Sequence, residues 1–201
     1  LDGYSVGIIA SQPLYMGGAL TVDASNKEAR FIRFCDAFSI PLIFLTDTPG
    51  YLPGSHQEHG GILRHGAKVL YAIAESVVPK IAVLIRKAYG GAKPAMGIDK
   101  DMGIDYIYAW PLAEGSIMGA DATARILYRK QVAQAENPEE FMQQKIKELR
   151  EAFDVYSFAY PGVINDVIEP RETRSKLIPT LEALLGKKDI RLTEIHGDIP
   201  L

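Results

Sequence analysis

Apolar positions along the chain fall into two kinds of run. Short, dense stretches at residues 6–10, 42–45, 80–85, 106–110 and 116–118 are too brief for helices and read as strands, mostly covered on both faces. Between them, apolar residues recur at helical spacing. Ser25 and Glu28 have the spacing of a capping box. Phe31, Ile32, Phe34, Cys35 and Phe38 then follow, so an amphipathic helix is predicted to start at Ser25 with these residues along its apolar face. Residues 51–61 are polar and rich in glycine and proline, which predicts a loop, and helical periodicity returns over residues 62–76. A helix start is predicted over residues 92–96, where Pro94 is tolerated in the first turn. One long helix is predicted over residues 121–135. Another begins at Asn137-Pro138-Glu139-Glu140, where a cap, a first-turn proline and early negative charge suit the positive end of the helix dipole. A last helix over residues 173–185 stops at Gly186.

Strands alternating with helices predict an α/β fold with a mostly parallel, covered sheet. No period of 20–50 residues repeats and no low-complexity linker divides the chain, so residues 1–201 are expected to form one domain or one layer of a larger assembly. The chain opens on Leu1 and runs almost at once into a strand, which leads us to expect an upstream part. Composition narrows the partners. Twenty-two Lys plus Arg against 25 Asp plus Glu give a net charge of −3, with no basic field for nucleic acid. Cys35, the single cysteine, can form neither an internal disulfide nor a cysteine-rich zinc site, and a cytoplasmic location is expected, or the mitochondrial matrix in a eukaryote. No apolar run approaches the ~20 residues that span a bilayer.

Several constellations suggest chemistry. The strand running into Asp47-Thr48-Pro49-Gly50 looks like the metal-switching segment of a nucleotide hydrolase, but no phosphate-binding Gly-x-x-x-x-Gly-Lys-Ser/Thr accompanies it, so a strand-ending turn is the better account. His56, Glu58, His59 and His65 cluster without the spacing of a zinc site, and no metal is expected. Cys35, at helical spacing, reads as a packed thiol and not a nucleophile. The glycine pairs are more informative. Tyr89-Gly90-Gly91-Ala92 follows a buried strand and precedes a helix, a setting in which backbone N–H groups can form an oxyanion hole without any charged side chain. Gly60-Gly61 stands in the same relation to the next helix upstream, and Gly17-Gly18 lies in another turn. Taken singly, such a pair is more often only a tight turn.

With these motifs in order, the chain resembles the C-terminal half of the acyl-CoA carboxyltransferase family, which includes propionyl-CoA carboxylase β chains and the carboxyltransferase subunits of methylmalonyl-CoA and glutaconyl-CoA decarboxylases. The resemblance rests on Ala29-Arg30-Phe31-Ile32-Arg33-Phe34-Cys35-Asp36-Ala37-Phe38, Pro49-Gly50-Tyr51-Leu52-Pro53-Gly54 and Gly60-Gly61-Ile62-Leu63-Arg64-His65-Gly66-Ala67-Lys68. It continues through Arg86-Lys87-Ala88-Tyr89-Gly90-Gly91-Ala92, Ala109-Trp110-Pro111, Met118-Gly119-Ala120 and His196-Gly197-Asp198-Ile199-Pro200-Leu201.

The resemblance implies a crotonase-like spiral of ββα units. It also implies that this half binds the biotin of a separate carrier domain, while an N-terminal half binds the acyl-CoA and the active site forms between halves of different subunits of a homo-oligomer. By the same carry-over, the N–H groups of Gly91 and Ala92 hold the ureido oxygen of biotin, and Tyr89, Gly90, Gly60, Gly61 and Met118 line its site. Such chemistry needs no side-chain base, since cofactor and substrate carry the reactive groups. The substrate expected first is propionyl-CoA or methylmalonyl-CoA. Lys93 and Pro94 depart from the family, where many propionyl-CoA carboxylases carry an aromatic and then an acidic residue, which leaves the acyl chain open and makes Lys93 either a pocket charge or a solvated one. The alternative function is a carrier-docking and assembly module without catalysis of its own.

Overall fold

The computed structural model describes residues 1–159 and 162–187. The motif at residues 196–201 lies outside the described residues. A wholly parallel six-stranded sheet forms the centre: β1 (Gly7–Ala10), β2 (Leu42–Thr48), β3 (Lys80–Tyr89), β4 (Tyr106–Ala109) and β6 (Asp166–Val167) lie side by side in that order, and β5 (Glu114–Ser116) pairs with the far end of β3. β2 and β3 are buried along almost their whole length, as dense apolar runs between two covering layers should be. On one face pack α1 (Val22–Ala37) and α3 (Ile62–Glu75). On the other lies α9 (Thr173–Leu184), whose Leu177 and Leu181 meet Ile43, Ile81 and Val83. Tyr108 anchors α9 through a 2.6 Å hydrogen bond between its hydroxyl and that of Thr180.

The remaining elements are α2 (Ser55–His59), the short α4 (Ala92–Ala95), α5 (Ala120–Leu127), α6 (Arg129–Gln134), α7 (Pro138–Ala152) and α8 (Val155–Ala159), with 3-10 turns that include Met16–Gly18. Among the described residues no helix is long and apolar enough to cross a membrane. The Asn137 side chain caps α7 from the backbone N–H of Glu140, as its sequence predicts. Several boundaries differ from expectation. The helix expected over residues 121–135 breaks at Tyr128, which packs onto α7 with Met142 and Leu149. The expected loop over residues 51–61 contains α2, opened by Gly54 without a side-chain cap. β5 ends at Ser116, leaving Met118 beyond the strand. β6, two residues long, is too short to show a pattern.

The largest correction concerns α1. Its cap is Thr21, whose Oγ1 accepts the N–H of Ala24 at 3.1 Å, so Ser25 and Glu28 lie inside the helix. The inward stripe is Ser25, Glu28, Ala29, Ile32 and Cys35. Phe34 and Phe38 are 51% and 67% exposed and pair with each other, ring centroids 4.8 Å apart. Both stripes are apolar enough to be the core face by sequence, and the small residues win because they let α1 approach α3 and the sheet closely. Cys35 is buried, and burial raises its thiol pKa, in keeping with a packed thiol.

Glu28 is only 7% exposed, and its Oε1 has no hydrogen-bond partner. Burial pushes its carboxyl up to about 8, so it is largely protonated at neutral pH. Because the folded-state pKa lies above the unfolded one, the stability linked to this proton is complete below about 4.5 and is lost as pH rises to about 8, above which the profile is flat. Each unit of offset corresponds to about 1.4 kcal/mol. Thermal denaturation of Glu28→Gln should therefore show an advantage over the parent that grows from pH 5 to pH 8 and then levels; a constant difference across that window would contradict the buried neutral acid.

Tyr51 follows β2 and joins it to α3. Its hydroxyl donates to Gly66 O at 3.3 Å, and a Cβ on Gly66 would sit 2.8 Å from its ring. Gly66→Ala should cost about 1–3 kcal/mol by overpacking, measured by chemical denaturation. Tyr51→Leu in the same chain should recover part of that loss, since it withdraws the ring that collides, whereas additive losses would show that the two residues do not compete for the space.

Candidate active site

In a parallel sheet the C-terminal ends of the strands lie along one edge, and the loops that leave them meet there. Here these loops are the segment Pro49-Gly50-Tyr51 after β2, the turn Tyr89-Gly90-Gly91-Ala92 after β3 and the segment 117–119 after β5. Parallel pairing of Tyr89 with Ser116 joins the last two, and the N–H of Gly90 extends the ladder to Ser116 O at 3.0 Å. Gly90 takes φ +57°, which lets the chain reverse from strand into α4, and a Cβ there would lie 3.2 Å from Ile117 O. Met118 is held beside this turn: its N–H donates to Ser116 Oγ at 3.1 Å, and its carbonyl accepts from the Ser116 and Thr123 hydroxyls. Tyr89 is buried, its ring packs near Gly119, and its hydroxyl donates to Glu114. Burial, and next the Glu114 carboxyl, raise the Tyr89 phenol above its ordinary range, so it is a neutral donor.

Gly91 and Ala92 are the N-cap and first residue of α4, with Gly91 exposed and Ala92 buried. Neither has an acceptor inside the helix, and among the described residues no group outside it accepts from their N–H groups. The Tyr51 ring lies 3.4 Å from where a side chain on Gly91 would begin, so Tyr51 touches both this turn and Gly66 of α3. Burial, and after it the Glu28 carboxyl, raise the Tyr51 phenol well above its ordinary range.

Gly60 and Gly61 differ from their sequence-level parallel. The Gly60 N–H donates to His56 O and the Gly61 N–H to Glu58 O, each at 3.0 Å, because the chain forms α2 there. A turn that spends both of these donors on its own carbonyls has neither N–H left for a ligand. The structure therefore brings Tyr89, Gly90, Gly91, Ala92 and Met118 together around one turn and links them through Tyr51 to the helix that Gly60-Gly61 precedes.

The carboxylates nearest this edge have partners. Asp47 is gripped by Arg86, with Nε at 3.2 and 3.1 Å from its two oxygens and an Nη at 2.9 Å, a pair that ties the end of β2 to β3. Among the described residues no cluster of His, Cys, Asp and Glu could hold a metal ion. The His65 Nδ1 shares Asn26 Oδ1 with Lys68, at 2.8 and 3.2 Å. Lys93 is half-buried in α4. Sequence reasoning assigned no part in the site to Tyr51, Arg86 or Glu114, and gave Glu28 only a place in a capping box. Tyr51 stands inside a quoted motif, but its contacts span 15 residues to Gly66 and could not be read from spacing.

Comparison with known proteins identifies the family. The Carboxyl transferase domain matches residues 1–199. The methylmalonyl-CoA carboxyltransferase 12S subunit of Propionibacterium freudenreichii subsp. shermanii is 48% identical over 201 residues, covering 100% of this chain. The methylmalonyl-CoA decarboxylase subunit alpha of Propionigenium modestum is 46% identical over 202 residues, also across 100% of the chain. The chain spans only 38% and 39% of the lengths of these two relatives. A crystal structure of transcarboxylase 12S, a hexamer assembly with methylmalonyl-coenzyme A and methylmalonic acid bound, superposes with a TM-score of 0.93 at 48% identity, covering 98% of this chain and 38% of that one. The fold shared with such neighbours is the crotonase-like one expected from the resemblance. With its family match running almost end to end and its relatives aligned over its full length, the chain belongs to the carboxyl transferase family.

Proposed function

We propose that this chain is the biotin-side half of a biotin-dependent acyl-CoA carboxyltransferase, which moves carboxylate between carboxybiotin on a separate carrier domain and a short-chain acyl-CoA, propionyl-CoA or methylmalonyl-CoA first. The observation that carries the reading is the pair of N–H groups at Gly91 and Ala92, without acceptors among the described residues and opening α4 at the strand-end edge. The names of the relatives support the acyl-CoA class. The hexamer of transcarboxylase 12S supports an oligomer, and the match to 38% of that chain supports an N-terminal half as partner. The reading keeps the cytoplasmic location expected from cysteine usage.

The residues present fit the cofactor. Biotin, when bound, supplies a ureido group that carries the carboxyl and whose oxygen gains negative charge when the carboxyl leaves. The chain's own part is to hold that oxygen with Gly91 and Ala92, whose dipoles are fixed before the reaction by the β3–β5 ladder and by α4. The Tyr51 ring forms an apolar surface under Gly91, and neutral Tyr89 keeps Glu114 occupied, so no ionised carboxylate competes for the donors. Met118, held by Ser116 and Thr123, lies next to the same turn.

Two measurements test this reading. Titration of isotope-labelled chain with biotin methyl ester should move the backbone amides of Gly91 and Ala92, and coenzyme A alone should leave them in place; the reverse pattern would assign this half to the acyl-CoA. Gly91→Pro removes one donor at a residue whose φ of −67° already suits proline. In the enzyme reassembled with its N-terminal half, the transfer rate should fall by about 10²–10³, with acyl-CoA affinity and unfolding temperature close to the parent's. An unchanged rate would defeat the catalytic assignment and favour the docking and assembly function.

A further inference from the structure

The N–H groups of Gly91 and Ala92 stand at the start of α4, a helix of only four residues. So short a helix has little stability of its own in water, and its direction is set by what it docks on. Ala92 and Ala95, both fully buried, pack it into the core on the face that α1 and α3 cover. Just past its end Gly97 takes φ +79° and lies so close to Phe44 of β2 that a Cβ there would come within 2.7 Å of the ring. Two residues further along β2, on the same face, Thr46 is fully buried and its Oγ1 donates to Met96 O at 2.6 Å. Three carbonyls before Met96 are met by the chain's own N–H groups: Ala92 O accepts from Met96, Lys93 O from Ile98 and Pro94 O from Gly97. Met96 O takes its hydrogen from the sheet instead. β2 is apolar from Leu42 to Leu45, and valine would continue it at position 46 with nearly the same shape. A buried hydroxyl in place of a methyl group is tolerated only with its bond made. Fifty residues separate the two partners, so this bond fastens a turn to the sheet across the fold.

We propose that Thr46 is a positioning residue: its hydroxyl fastens the C-terminal end of α4 to β2 and so fixes the direction of the Gly91 and Ala92 N–H groups at the other end. Fully buried, the hydroxyl reaches no ligand and acts only through the helix. The N-terminal end of the turn is held by the β3–β5 ladder, which the Gly90 N–H extends to Ser116 O. Thr46 supplies the hold at the opposite end. Donors stabilise a developing charge without reorganising only when they are fixed beforehand, and a four-residue helix held at one end alone would swing its N–H groups. The effect on transfer rests on the role proposed for those two donors; the fastening of α4 does not.

The test uses the enzyme reassembled with its N-terminal half. Thr46→Val removes the donor and keeps the shape, whereas Thr46→Ser keeps the donor. Hydrogen exchange read by mass spectrometry over residues 92–98 follows the fastening without any cofactor. In Thr46→Val the amides of Met96, Gly97 and Ile98 should exchange about tenfold faster than in the parent, as the loss of one buried hydrogen bond allows. The kcat for transfer should fall about tenfold, with the KM for acyl-CoA close to the parent's. Thr46→Ser should stay near the parent in both. Thr180→Val removes a hydroxyl bonded at the same 2.6 Å on the opposite face of the sheet and should change neither; a merely structural role for Thr46 would make the two valine variants alike. If Thr46→Val fails to fold, Thr46→Ala set against Thr46→Ser makes the same comparison. Unchanged exchange over residues 92–98 would overturn the proposal whatever the rate. Faster exchange with an unchanged rate would overturn the positioning role, alone if Gly91→Pro slows transfer and together with the donor assignment if it does not.

Discussion

The parallel ladder through β3 is the constraint on which the site depends. β3 pairs with β2 along one side, while on the other its first half pairs with β4 and its second half with β5. All of these strands point the same way, so the chain must leave each of them at a single edge, and segments distant in sequence are brought together there without any designed contact between them. The split pairing matters as much as the direction. β4 ends opposite Leu84, and the last residues of β3 run on to meet β5, which carries the turn after Tyr89 beyond the main sheet. The other end of β3 is fixed just as firmly. Lys80 is buried there with its ammonium on Ile73 O, Ser76 O and Ser76 Oγ at 2.6–3.0 Å, a cation at the negative end of α3 that satisfies carbonyls the helix leaves open.

The edge that results is polar through its backbone, and its two nearest carboxylates are engaged away from the donors of the turn. Asp47 is locked by Arg86 and Glu114 by the Tyr89 hydroxyl, so the nearest carboxylates are spent on positioning. With the carboxylates turned to other donors, the N–H groups of Gly91 and Ala92 stay open, as stabilising a developing negative charge requires. Tyr51 ties this edge to the helix layer. One ring meets Gly91 on one side and Gly66 on the other, and only a residue without a side chain allows α3 to come so close.

Much of this was legible in sequence, for identifiable reasons. β2 and β3 announce themselves because burial on both faces leaves no room for alternation, and α7 because Asn137, Pro138 and two glutamates stand where a helix start requires them. The turn at residues 89–92 was legible because strand, glycine pair and helix follow one another directly. Gly60-Gly61 looked the same and behaves differently, since whether an N–H faces outward depends on an α2 that Gly54 opens without any capping side chain. The split at Tyr128 and the two-residue β6 depend on tertiary packing and leave no periodic trace. Tyr51 acts through contacts far along the chain, and the burial of Glu28 follows from a helix start that local spacing places one turn too late.

The misreading at α1 shows why local rules fail at such places. Ser25 and Glu28 satisfy the capping-box pattern, yet the cap is Thr21, one residue short of five before Ser25 and hence one helical turn earlier. A shift of one turn leaves each residue on nearly the same face, so it does not turn Glu28 outward; it moves it from the rim of the helix, where backbone N–H groups would have met its carboxyl, to the interior, where none can. An aliphatic residue there would avoid the desolvation. A sequence that is locally consistent almost everywhere and keeps an unsatisfied acid at one buried position departs there from its own logic.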